Sequence, residues 1–169
     1  MVQTLSDFFR ASLNSGKDIV SLEGECRHIT SYLQIQQVRY QDILTYDVDI
    51  PEEIANCKIP KITLQPLVEN ALYHGIKNKR GKGRIVVTGR REKDKCVIRV
   101  EDNGIGMTKE RLNQVRGGLT TKIEDSNDFY GLYNVNERIR LKFGEEYGLS
   151  IDSVLQEGTC VEVWLPWES

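Results

Sequence analysis

Between Leu44 and Ile50 the apolar residues Leu44, Tyr46, Val48 and Ile50 fall on every second position, with Thr45, Asp47 and Asp49 between them and Pro51 closing the run. A period of two puts all four on one side of an extended chain and predicts a half-buried strand. The period then changes: Leu64, Leu67, Val68, Ala71 and Leu72 follow helical spacing. They predict a helix with one apolar stripe, in which Pro66 is tolerable only within the first turn. Glu69, Asn70, Tyr73 and His74 fall on its other side. A chain that mixes the two periods has to stack helices on a sheet, because each element offers only one face for burial.

The rest of the chain follows the same logic. Arg84 to Arg90 and Cys96 to Glu101 read as strands joined by a turn through Arg91 and Lys95, a hairpin. Thr108 is placed to cap a short helix reaching about Val115, and Leu132, Val135, Ile139 and Phe143 mark a later helix that Gly144 ends. Leu149 and Ile151, then Val161, Val163 and Leu165, alternate across a turn at Gln156-Glu157-Gly158 and predict a closing hairpin. Arg116 to Tyr130 is polar, contains Gly117-Gly118 and has no period, the pattern of a functional loop or lid. Ahead of Leu44 two helices are expected. Leu5, Phe8, Phe9 and Leu13 form the stripe of the first, which Asn14-Ser15-Gly16 ends. Ser21 caps the second, with Glu23 and Glu25 near its positive end and Cys26, Ile29, Leu33 and Gln36 along one stripe to Arg39. The order predicts strands paired antiparallel with helices on one face.

With 39% hydrophobic and 28% charged residues in 169, the chain has the balance of one globular domain, alone or with a helical appendage. A net charge of −2 gives no basic field along which a polyanion could lie, so nucleic acid is not an expected partner. Cys26, Cys57, Cys96 and Cys160 form no C-x-x-C pair and no zinc spacing, which points to reduced thiols in a cytosolic compartment. No apolar run approaches the roughly 20 residues that cross a bilayer. Membrane spans of any parent protein are expected outside this chain.

Asp102-Asn103-Gly104-Ile105-Gly106 ends a predicted strand. Its glycines let backbone approach a ligand closely, and the carboxylate can accept hydrogen bonds from an exocyclic amine. The same residues also make an ordinary turn between strand and helix. Asn70 offers a neutral, hard oxygen suited to Mg²⁺, or is simply a polar residue on a solvated helix face.

Taken together, the motifs resemble those of the GHKL ATPases, and in particular of histidine kinases of the YesM/LytS class. Leu64 to Gly75, reading LQPLVENALYHG, is similar to the N box of that family; Asp102 to Gly106 to the G1 box; Gly131-Leu132-Tyr133-Asn134-Val135 with Glu137-Arg138 to the G2 box; and Gly158-Thr159 to the final motif. Glu25, the segment Tyr32 to Gln36 and Arg39-Tyr40 fit the stretch ahead of the N box.

The resemblance implies a Bergerat-type α/β two-layer sandwich with a mostly antiparallel mixed sheet and helices on one face, preceded by two short helices. Residues 1–43 would be a helical remnant of the dimerisation region and 44–169 the ATP-binding catalytic domain. It implies ATP and Mg²⁺ as cofactors and a set of roles. Asn70 would hold the metal. Asp102, Gly104, Gly106 and Thr159 would form the adenine pocket, while Gly131, Leu132, Asn134, Arg138 and Lys77 or Lys79 would serve the phosphates. Glu69 and His74 join Asn70 as candidate catalytic residues, although Glu69 should point about 100° from Asn70 around the helix. The full-length protein would be a histidine kinase of a two-component system: a homodimer anchored in a bacterial membrane outside this segment, with a cytoplasmic catalytic domain. Its partners would be its own dimerisation region and a response-regulator receiver domain.

Three departures shape the expected mechanism. Family members that hydrolyse ATP place a glutamate four residues before the Asn, and here that position is Pro66, which favours transfer to histidine. His28 matches no phosphoacceptor motif, being followed by Ile29. Phe129 stands where many relatives carry the first glycine of the G2 box, which would stiffen the lid hinge. An anti-sigma-type serine kinase of the same superfamily, or an ATP-binding regulatory module, are the alternative readings.

Overall fold

The computed structural model describes residues 18–121 and 130–167. The predicted helix over Leu5 to Leu13 and the hinge position Phe129 lie outside the described residues, as does the middle of the predicted lid.

The chain opens with strand β1 (Ile19–Ser21) and helix α1 (Leu22–Arg39). Ser21 is the N-cap, its hydroxyl accepting from the Gly24 N–H at 3.1 Å. Leu22, Ile29 and Leu33 on the inner stripe are fully buried, each such burial contributing about 1.5–3 kcal/mol. Strand β2 (Leu44–Asp49) follows, then a single 3₁₀ turn (Glu52–Ile54), strand β3 (Lys58–Pro60) and helix α2 (Leu64–Asn70).

Helix α2 runs without a break into a wider π turn, Ala71–Ile76, in which the Lys77 N–H reaches back to the Leu72 carbonyl. Its N-terminus accounts for its donors in an unusual way. Thr63 spends its hydroxyl on the Pro60 carbonyl rather than on the helix, Pro66 has no N–H, and the N–H groups of Ile62, Thr63 and Leu64 all go to the Glu25 carboxylate.

Strands β4 (Gly83–Glu92) and β5 (Lys95–Asp102) make the predicted hairpin, and helix α3 (Lys109–Gly118) is capped by Thr108, whose hydroxyl accepts from the Arg111 N–H. Helix α4 (Tyr130–Phe143) ends at Gly144 with φ +120°, and strands β6 (Gly148–Val154) and β7 (Gly158–Pro166) close the fold. The predicted lid is shorter than its polarity suggested. Arg116, Gly117 and Gly118 are helical, and Arg116 is anchored through its Nε to the Ile151 carbonyl at 3.0 Å.

The five-stranded sheet has the order β2-β4-β5-β7-β6. All its neighbours are antiparallel except β2 and β4, which run parallel from Leu44↔Gly83 to Asp49↔Thr88. This is the mostly antiparallel mixed sheet that the resemblance implied, whereas the order of elements alone suggested antiparallel pairs. The link from β2 to β4 passes through α2, and a crossover through a helix returns the chain in the same direction. A second, two-stranded sheet pairs β1 with β3, Ile19↔Pro60 to Ser21↔Lys58.

One face of the large sheet carries Ile85, Val87, Ile98, Val100, Val161 and Val163 into a core shared with α1, α2, α3 and α4. The other face carries charged pairs such as Arg90 with Glu162 and Arg99 with Glu101. The result is an open two-layer sandwich with its helices on one side.

Candidate functional site

The carboxyl ends of β5 and β7's first residues meet the pocket face of α2. Leu67, Asn70, Ala71 and His74 share that face at helical spacing, and with Asp102, Gly106, Thr159 and Leu132 they line one pocket. Val100, Ile151 and Val161 form its apolar floor. The free space within it is small, about 30 Å³.

Two glycine positions make the walls. Gly106, φ +65°, runs so close to the Val154 carbonyl that no side chain fits, and Gly158, φ +133°, is packed equally tightly on the carbonyl of Asp102. Only glycine meets both the backbone angle and the distance. The register Asp102↔Thr159 sets the carboxylate beside the threonine. Thr159 Oγ1 shares a 2.8 Å hydrogen bond with Ser153 Oγ, which also accepts from the Met107 N–H at 2.9 Å. Ser153 therefore ties the loop after β5 to the β6–β7 hairpin.

Asp102 Oδ1 accepts from the Gly104 N–H at 2.9 Å. Burial pushes its carboxyl up to about 6, against the hydrogen bonds from the Gly104 and Thr159 backbone and the charge of Lys79, which favour the anion. A carboxylate held in an apolar pocket near neutrality is a strong acceptor for a neutral donor such as an amine. Asn70 faces the same space, and among the described residues no partner lies within hydrogen-bond reach of its buried amide nitrogen. An amide nitrogen left over in this way keeps its hydrogen-bonding capacity open towards the pocket.

The remaining predicted residues divide. Gly131 and Leu132 lie in the first turn of α4, with Leu132 buried in the pocket wall and Gly131 against Pro66 of α2. Asn134 is exposed on α4. Lys79 Nζ donates to the Asn103 carbonyl at 2.7 Å, while Lys77 lies over the Tyr73 ring.

Glu69 is not in the pocket lining. It accepts from Gln65 Nε2 at 2.8 Å, and Gln65 Oε1 is 2.5 Å from His28 Nε2, so Glu69 belongs to a polar seam between α1 and α2. The sequence grouped it with Asn70, but one residue along a helix is a turn of about 100°. Arg138 is likewise outside the lining. It donates to the carbonyls of Lys61 and Ile62 at 2.6 and 3.1 Å, since two turns along α4 carry it away from the helix start.

Three residues with structural weight escaped the sequence. Glu25 was placed at the positive end of its own helix, and it caps a different one. Asn136, buried at 3% exposure, donates to the Leu119 carbonyl and accepts from the Leu149 N–H, both at 2.8 Å, fastening α4 to the end of α3 and the start of β6. Ser153 is the third. Only Asn136 gave a signal, a polar residue within the apolar spacing of Leu132, Val135 and Ile139.

Residues 60–169 match the family described as histidine kinase-, DNA gyrase B-, and HSP90-like ATPase. The chain belongs to this family. Residues 1–44 match a histidine kinase family as well. The chain is 34% identical over 167 residues to the sensor histidine kinase BtsS of Escherichia coli K12, covering 99% of this chain and 27% of that protein. It is 36% identical to the sensor histidine kinase YesM of Bacillus subtilis and 35% identical to the sensor protein LytS of Staphylococcus saprophyticus, in each case over 98% of this chain and 27% and 28% of the relative. It thus spans little more than a quarter of the length of these relatives. The fold is shared with the histidine kinase domain of the Erythrobacter litoralis EL346 blue-light activated kinase (TM-score 0.63, 15% identity, 98% of this chain and 72% of that one). It is shared too with the catalytic domain of histidine kinase ThkA (TM-score 0.64, 10% identity, 88% of this chain and 95% of that one).

Proposed function

We propose that this domain binds Mg-ATP with the adenine against Asp102 and presents the γ-phosphate to a histidine on the dimerisation region of a longer, homodimeric sensor kinase, from which a response-regulator receiver domain takes it. The observation that carries this reading is the pairing in one pocket of the Asp102 carboxylate with Asn70, whose buried amide nitrogen has no hydrogen-bond partner among the described residues. Asp102 accepts from the adenine amine and so selects adenine over guanine, whose equivalent group is an acceptor. Thr159 adds a hydroxyl beside it. Asn70 would contribute one oxygen to Mg²⁺, which keeps most of its waters and neutralises phosphate charge. The first turn of α4 would turn its backbone N–H groups and positive dipole end towards phosphate oxygens.

Transfer is favoured over hydrolysis by what the pocket contains. Asp102 is the only carboxylate among the residues lining it, and it is committed to the base. Pro66 stands where a water-activating glutamate would be, and Glu69 is bonded to Gln65. The step then needs only positioning: a histidine nitrogen forms the new N–P bond as the bond from γ-phosphorus to the β,γ-bridging oxygen breaks, and ADP leaves. The division into a dimerisation-derived segment 1–43 and an ATP-binding part 44–169 belongs to the same proposal as a matter of role rather than of folding, since α1 is buried in the core of the sandwich, and so does a membrane anchor outside this segment.

The test is titration of Asn70→Ala and wild type with a non-hydrolysable ATP analogue, with and without Mg²⁺, alongside phosphorylation of a supplied polypeptide carrying the upstream histidine motif. The mutant should lose the gain in affinity from Mg²⁺ and most of the transfer rate. Equal Mg²⁺ enhancement in both proteins removes Asn70 from the metal site.

A further inference from the structure

The loop 61–63, between β3 and α2, is held from two sides by helices that belong to opposite ends of the chain. From α1, the Glu25 carboxylate, only 3% exposed, accepts the N–H groups of Ile62 at 2.8 Å, Thr63 at 3.1 Å and Leu64 at 3.2 Å. From α4, one guanidinium nitrogen of Arg138 donates to the carbonyls of Lys61 and Ile62 and lies 3.5 Å from Thr63 Oγ1. Both grips meet on Ile62, whose N–H goes to the carboxylate and whose carbonyl goes to the guanidinium.

Ile62 has φ +57°. A β-branched residue avoids that region, and a residue found there is held by its surroundings. Its side chain does not account for the choice, being 38% exposed. The two charged groups do, because they take both polar groups of the residue at once.

We propose that Glu25 and Arg138 are positioning residues for Asn70. They hold Ile62 in the left-handed conformation and thereby fix the direction in which α2 leaves the loop. This rests on reading the pocket as a Mg-ATP site. The helix has no side-chain cap of its own, so its first turn has the orientation that Glu25 and Arg138 impose. Asn70 stands eight residues beyond Ile62 on a continuous helix, a rigid spacer of about 1.5 Å per residue. Relaxation of Ile62 to negative φ would turn its N–H and carbonyl away from both partners together, so the loop has two arrangements rather than a continuum, and Asn70 is aligned in only one.

Arg138→Ala and Glu25→Gln, each alone and combined with Ile62→Gly, test this in the whole chain. The readouts are affinity for a non-hydrolysable ATP analogue with and without Mg²⁺, and hydrogen exchange of residues 64–76 without nucleotide. Arg138→Ala should cut the Mg²⁺-dependent gain in affinity about tenfold, change the Mg²⁺-free affinity less than about twofold, and speed exchange over 64–76. Ile62→Gly should restore both, since glycine adopts φ +57° unaided. Glu25→Gln should behave in the same way. An unchanged Mg²⁺ gain and unchanged exchange in folded Arg138→Ala overturns the proposal while leaving the nucleotide reading intact. A loss in which Mg²⁺-free affinity and melting temperature fall together, and Ile62→Gly restores nothing, overturns it as well, because that is general destabilisation. Absence of nucleotide binding by the wild type sinks the Mg-ATP reading and the positioning role with it, whatever the exchange pattern.

Discussion

Gly75 and Gly104 meet backbone to backbone. A methyl group on Gly104 would overlap the main chain of Gly75, and one on Gly75 would fall 2.5 Å from a carboxylate oxygen of Asp102. The wide last turn of the α2 helix and the loop after β5 thus close on each other with no side chain between them. That contact brings Asn70 and Asp102 onto two walls of one pocket.

Gly104→Ala should therefore destabilise the domain by about 1–3 kcal/mol through overpacking and abolish nucleotide binding. Gly117→Ala is the control. Gly117 lies in α3 with nothing among the described residues within 4 Å of an added Cβ, so alanine should be neutral or stabilising by up to about 1 kcal/mol. Thermal melting of the two variants checks both; equal losses would remove the contact as the cause.

Asp102 makes the site pH-dependent. Its carboxyl is raised from 3.8 to about 6 by burial, so the folded protein holds a proton that the unfolded chain has released between these values. Stability should therefore fall as pH rises from about 4 to about 6 and be independent of this group beyond that. Nucleotide affinity should move the opposite way, weakening as pH falls through about 6, because the protonated acid loses acceptor capacity towards the adenine amine. Asp102→Asn should weaken adenine binding strongly, keep the fold and flatten both profiles. Calorimetric titration across this range, paired with melting curves, reads out each. A profile unaltered by the substitution would assign the titration to another group.

Much of this architecture was legible because periodicity reports which face of an element is buried. The alternation from Leu44 to Ile50 and the stripe from Leu64 to Leu72 became β2 and α2 with the expected burial, and Ser21, Thr108 and Gly144 ended their helices as their chemistry suggested. Alternation does not, however, say which strand lies alongside, so the mixed sheet came from the resemblance and the parallel partner of β2 was left unspecified. The three-residue strands β1 and β3 are too short to show a period. Asp102, Asn70, Gly106 and Thr159 were brought together as the motifs implied. Glu69 and Arg138 were not; Glu25 does stand in the first turn of its own helix, as expected, but its carboxylate also caps α2. For a polar side chain the decisive fact is which backbone groups tertiary packing leaves unpaired within its reach, and no local pattern encodes that.

Asn136 supplies a prediction free of any ligand. Asn136→Ala leaves the Leu149 N–H and the Leu119 carbonyl without their side-chain partner and should be destabilising by about 2–3 kcal/mol. Asn134→Ala, at an exposed position two residues earlier, should change stability by less than about 0.5 kcal/mol. Urea unfolding of the pair is the measurement, and similar midpoints would deny Asn136 its fastening role.

With ATP and Mg²⁺ alone, His28 should acquire no acid-labile phosphate. It is 4% exposed and its Nε2 lies 2.5 Å from Gln65 Oε1, inside the seam between α1 and α2. Phosphopeptide mapping under alkaline conditions detects such a product, and label on His28 would overturn the assignment of an external acceptor.

The burial of Leu22, Ile29 and Leu33 of α1 in the same core as the sheet bears on where this unit can be cut. A chimera joined at Leu44, where the strand pattern begins, would strip the sandwich of part of its interior and of the carboxylate that caps α2. It would expose to water the part of the core that α1 now shares and favour self-association. A graft that carries the chain from Ile19 onward keeps the β1–β3 pairing and the whole of α1, so α1 travels with the sandwich as part of one folding unit.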